Sequence, residues 1–168
     1  MRTPARILSL SVVGALSVGL TLGLVPAAQA ADETLTDVAN DQLRPGLDII
    51  GAVVTNDDYA VTVTLNFRAD RNGYAVVGLK ARDRGLLRVV ARHDVDGADR
   101  DFLLDAEGRV RCAGLTSSWA ATTVTLTVPS TCLWRGSYGA VRAPWLLTEA
   151  LGHADVDVAG PTRWISRG

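Results

Sequence analysis

The chain of 168 residues is poor in the residue types that most active sites use. Met occurs only at the start, Lys only at Lys80, and His only at His93 and His153. Histidine-centred acid–base or metal chemistry therefore has few places to form. Cys112 and Cys132 are far apart in sequence, without the C-x-x-C spacing of a redox enzyme. With only two histidines beside them, they also do not match zinc-ligand spacing. Ser117, Ser118, Ser130 and Ser137 are available as nucleophiles, but none sits in G-x-S-x-G. No glycine loop followed by a helix offers a phosphate cradle, and no N-x-S/T site occurs. Beyond the first thirty residues, no apolar run is long enough to span a bilayer. No stretch of about 12 residues there carries a helical stripe.

The N-terminus is rich in one thing. Arg2 and Arg6 precede an apolar run from Ile7 to Pro26, and Ala28-Gln29-Ala30 follows. A basic start, an apolar middle and an A-x-A end form a secretory signal. An uncleaved anchor is the rival reading, because the run approaches the roughly 20 residues needed to span. Pro26 and the small residues at 28 and 30 favour cleavage. The expected organisation is a signal peptide over 1–30, an extended or loosely tied acidic segment over 31–46, and one domain over 47–168. Losing Arg2 and Arg6 leaves 15 basic against 18 acidic residues, a net charge of -3. That argues against nucleic acid or an anionic membrane surface as the main partner. The product is expected to be secreted, with no stable membrane insertion after cleavage. Two cysteines in an exported chain predict one disulfide, Cys112–Cys132, contributing about 3 kcal/mol.

The dominant pattern in the mature chain has period two, the strand period. Over Tyr59 to Arg68, Val61, Val63, Leu65 and Phe67 point one way, and Thr62, Thr64 and Asn66 the other. Thr is β-branched and suits the wet face of a sheet. Further strands are expected over Leu47 to Val54, Tyr74 to Arg82 and Leu86 to Arg92. Phe102 to Leu104 and Arg109 to Cys112 flank a hairpin turn at Asp105–Gly108. Trp119 to Val128 reads as one strand, stopped at Pro129, which cannot donate to a ladder. A helical turn is expected at Ser130–Leu133, a strand at Gly139 to Ala143 and another helical turn at Thr148 to Gly152. Short edge segments follow at Asp155 to Val158 and Trp164 to Ile165. Seven to nine short strands predict an all-β, two-sheet antiparallel β-sandwich, with a small closed β-barrel as the alternative.

Three groups of residues are candidate sites. Asp94, Asp96, Asp99 and Asp101 surround Gly97, and such carboxylates in a short loop could wrap calcium. They do not match an EF-hand loop, and a solvated β-turn partly neutralised by Arg92 and Arg100 is the reading preferred over calcium. His93 could pair with Asp94 or Asp96, and His153 lies near Asp155; no serine is placed beside either by sequence. Trp134, Tyr138 and Trp145 fall in the least regular part of the chain. Trp and Tyr rings can stack on sugars, so these three are the candidate ligand-binding residues, with core packing as the plain alternative. The expected function is a non-enzymatic binding domain, with a glycan, cell-surface component or protein as partner. A secreted hydrolase with an unrecognised site, or a protein-interaction module using an edge strand or the disulfide loop, is the alternative.

One segment carries a resemblance. Cys112, Trp119 and the run Val124-Thr125-Leu126-Thr127-Val128-Pro129-Ser130-Thr131-Cys132-Leu133, with Gly46–Ile49 and Val61–Phe67 upstream, resemble small exported actinobacterial proteins. Their strand into V-P-x-x-C-L is the most specific element. The resemblance implies a β-sandwich with one bridge, and no catalytic set. The excess of Arg over a single Lys fits a GC-rich genome.

Overall fold

A computed structural model describes residues 30–37, 47–68, 72–94, 96–151 and 156–168. The expected signal cleavage, and His153 with Asp155, lie outside the described residues. Twelve strands are formed among the described residues. They are β1 (Ala31–Thr36), β2 (Ile49–Asn56), β3 (Ala60–Phe67), β4 (Gly73–Ala81), β5 (Leu87–His93) and β6 (Arg100–Leu104). The others are β7 (Arg109–Val110), β8 (Thr116–Ala120), β9 (Thr123–Pro129), β10 (Val141–Arg142), β11 (Leu146–Ala150) and β12 (Val156–Ala159). Two antiparallel sheets result, in the orders β1-β2-β3-β9-β8 and β12-β11-β4-β5-β6-β7, with β10 also paired to β4. The sheets are open, so the fold is the sandwich and not the closed barrel.

Alternation explains the layering. Val61, Val63, Leu65 and Phe67 on β3 are buried; the first three pair with Val128, Leu126 and Val124 on β9, and Phe67 pairs with Ile49 on β2. Ala75, Val77 and Leu79 of β4, with Val89 and Ala91 of β5 and Leu103 of β6, form the opposing layer. The chain crosses between sheets after β3, β7 and β9. The disulfide joins two of these crossings: Cys112 follows β7 and Cys132 ends the short 3-10 turn Ser130–Cys132 after β9.

Three sequence expectations are corrected. Residues 31–36 are not loosely tied; they pair in register with β2 from Ala31↔Asn56 to Thr36↔Gly51. The run Trp119 to Val128 is not one strand. It turns at Ala121-Thr122 into the hairpin β8–β9, without the glycine that normally marks such a turn. Thr148 to Gly152 is not a helical turn, because Leu146, Thr148 and Ala150 all face the core as β11 between β4 and β12. Five residues are too few for periodicity to separate helix from strand. The far edge is fastened to β2 by polar bonds: Asp157 accepts from the Ile49 amide, and the Thr148 hydroxyl donates to the Leu47 carbonyl.

Candidate ligand-binding face

The acidic loop uses its own carboxylates. Asp94 Oδ1 accepts the Asp96 amide at 3.3 Å, and Asp94 Oδ2 lies 3.5 Å from Arg92. Asp99 Oδ1 meets His93 Nδ1 at 2.9 Å and accepts the Asp94 amide at 3.3 Å. His93 thus pairs with Asp99, not with Asp94 or Asp96. Asp101 points between the sheets and accepts the Ser117 amide at 2.7 Å and the Ser117 hydroxyl at 2.6 Å. Among the described residues, no group of three or more His, Cys, Asp or Glu side chains is placed to hold a metal. The loop takes the turn preferred over a calcium wrap, with short Asp side chains closing on neighbouring amides. Ser117 gives its proton to a carboxylate rather than to an imidazole, so these residues do not form a Ser-His-Asp relay.

The three candidate aromatic residues separate. Trp134 and Tyr138 lie 5.7 Å apart with planes tilted by 58°, both half-buried against the core. Trp134 and Arg135 have positive φ angles of 49° and 59°, followed by Gly136 at 77°. Two consecutive non-glycine residues in the left-handed region cost backbone energy and need external support. That support is visible: buried Leu133, the adjacent disulfide, the Trp134 Nε1–H bond to the Gly85 carbonyl, and Arg167. Arg167 stacks 4.7 Å from the Tyr138 ring and donates to the Gly136 carbonyl. Burial holds the Tyr138 phenol above its ordinary pKa of 10.0, opposed by Arg167 and aided by Asp57 and Asp58. These two rings pack against the core and against each other.

Trp145 is placed differently. Gly78 lies between core-facing Val77 and Leu79, so its missing side chain would point out of the sandwich. A Cβ there would stand 2.8 Å from Trp145 Cε2 and 3.1 Å from Cδ2 and Cζ2. Near-equal distances to an atom and two of its neighbours place the indole face-on over the glycine. The ring therefore lies flat on the outer face of the seven-stranded sheet, with its second face turned away from it.

The rest of that outer face is unlike an ordinary wet surface. Pairing aligns Val158, Leu147, Val76, Val90 and Phe102 in one row across five strands. Val158 is 54% exposed and Val156 44%. Arginines stand over rings around the row: Arg92 over Tyr74 at 5.9 Å and Arg109 over Phe102 at 5.4 Å. Arg82 and Arg142 lie 5.2 and 4.9 Å from the Trp164 ring. The outer face of the five-stranded sheet is instead a field of threonines, such as Thr62, Thr64, Thr125 and Thr127. The period of two located both faces, but the Gly78–Trp145 seat joins residues far apart in sequence.

Comparison with family models, curated proteins and solved structures found no match to this chain. The actinobacterial resemblance thus rests on its sequence motif.

Proposed function

We propose that this protein is an exported, non-catalytic binding module that recognises a glycan through the outer face of its seven-stranded sheet. The seat of Trp145 on Gly78 carries this reading. A flat aromatic ring backed by a sheet offers a rigid apolar platform for the C–H face of a sugar, at little entropic cost. The neighbouring arginines supply hydrogen-bond donors for hydroxyl and acidic groups. Export is supported by the Arg2–Ala30 leader and by a bridge of the kind kept in oxidising compartments. Among the described residues, no helix is long and apolar enough to cross a membrane.

Pull-down on a panel of insoluble polysaccharides tests the binding claim. Wild type is expected to be retained by at least one of them. Trp145→Ala should lose about tenfold in affinity, the scale of one stacked ring, and Trp145→Phe should recover part of it. Retention by none, or retention indifferent to Trp145, overturns the reading. Mass spectrometry of the secreted product tests export: the chain should begin at Ala31, and residues retained before it would overturn cleavage there.

A further inference from the structure

Cation placement on this face adds a second observation. Arg92 and Arg100 are direct cross-strand partners on β5 and β6, and Lys80 and Arg142 are direct partners on β4 and β10. Both pairs point outward, because Ala81, Ala91 and Val141 beside them are buried. Directly opposed side chains have Cβ atoms about 5 Å apart, and like charges at that distance destabilise a sheet. Two such pairs on one face of a chain with net charge -1 work against folding. Arg88, the partner of Gly78, lies between them. Tyr74 pairs with Arg92 and sits six positions before Lys80, so the two cation pairs are about 20 Å apart along the strands. Among the described residues, carboxylates near this track include Asp94, 3.5 Å from Arg92, and Glu149, the partner of Tyr74 on β11. Arg92 and Arg142 are further held against the rings of Tyr74 and Trp164. A guanidinium fixed on a ring keeps donors at its edge for a planar anion.

From this geometry we infer that the ligand is an acidic polysaccharide, a chain bearing carboxylates or sulfates that bridges the two like-charge pairs across the Trp145 platform. The inference rests on the glycan reading and narrows its substrate class. An extended ligand is required because the pairs are too far apart for one small anion. A polysaccharide fits better than a nucleic acid because the chain as a whole is not basic, and a duplex is drawn chiefly by long-range positive charge. An anion between the members of Arg92–Arg100 and of Lys80–Arg142 would relieve their mutual repulsion.

Affinity electrophoresis of the purified protein tests this with four probes: polygalacturonate, its fully methyl-esterified form, heparin and duplex DNA. Binding to polygalacturonate or heparin is expected. It should weaken about tenfold or more as salt rises from about 50 to about 200 mM. The methyl ester should bind at least about tenfold more weakly than polygalacturonate. Arg100→Gln and Arg142→Gln should each weaken acidic-glycan binding about fivefold or more. Arg163→Gln, beside Glu33 of the other sheet, should leave it unchanged. Equal binding of the methyl ester overturns the acidic ligand and leaves the glycan reading standing. Binding of no glycan, charged or neutral, overturns both. DNA binding as tight as the acidic glycans, at equal charge concentration, overturns the polysaccharide assignment in favour of a general polyanion. Unfolding midpoints of the Arg→Gln variants at or above wild type would show that lost binding is not lost folding, and removal of a like-charge pair predicts that result.

Discussion

The imidazole of His93 and the indole of Trp119 stack across the gap between the two sheets, with ring centroids 4.8 Å apart and planes inclined by 17°. His93 ends β5 and Trp119 lies on edge strand β8, so the pair closes one side of the sandwich. Phe67 lies 6.0 Å from the same indole, and Asp101–Ser117 ties the same two sheets beside it. Trp119→Ala should lower unfolding free energy by about 3 kcal/mol, and His93→Ala by about 1 kcal/mol. In a double-mutant cycle read by urea unfolding, the two should couple by about 1 kcal/mol. Simple additivity would show that the stack does not contribute.

The indole over Gly78 predicts an unusual pair of variants. Gly78→Ala places a methyl group 2.8 Å from Trp145, so the ring must lift. The cost should be about 1–3 kcal/mol, with glycan binding lost as well. In a Trp145→Ala background the same substitution should cost under about 1 kcal/mol. Thermal unfolding of the four proteins checks this.

Tyr138 gives a pH dependence with a defined sign. Its folded pKa is raised above 10.0, mainly by burial. The neutral phenol is favoured in the folded state, so this contribution is fully present below pH 10. It is lost as pH rises from 10.0 through the higher folded value. Among the described residues, the buried Tyr138 hydroxyl has no hydrogen-bond partner. Tyr138→Phe should therefore be at least as stable as wild type at neutral pH. The advantage of the variant should grow above pH 10, as measured by urea midpoints at successive alkaline pH values.

The bridge supplies the fourth expectation. Cys112 and Cys132 are joined at a Cα–Cα distance of 5.3 Å between two crossings of the chain. Replacing both with Ala should lower unfolding free energy by about 3 kcal/mol through a freer unfolded state. Equal thermal midpoints for the two proteins would show that the crossings are held without it.

Period-two strands were legible wherever one face is dry and the other wet, as in β3 and β9, because alternation records burial directly. Of the elements of two to five residues, β6, β7, β10 and β12 form where strands are expected, but β8 and β11 differ from the expectation. β11 overlaps the helical turn expected from Thr148, but burial of Leu146, Thr148 and Ala150 at every second residue fits only the strand period. The β8–β9 hairpin was missed because Ala121-Thr122 lacks turn residues. Of the candidate aromatics, Trp145 was named but its seat was not. Trp134 and Tyr138 were named for ligand binding, and they pack against the core and against each other. Asp94, Asp96, Asp99 and Asp101 were close in sequence, yet Asp101 turns inward to Ser117 while Asp99 turns to His93.

The sequence by itself determined an all-β chain with one bridge, because alternation and cysteine parity are local or countable properties. Tertiary structure alone decided that Trp145 lies on Gly78, and that Arg92 opposes Arg100 while Lys80 opposes Arg142. Those relations depend on strand order and register, which are set by core packing between distant segments, so no local pattern encodes them.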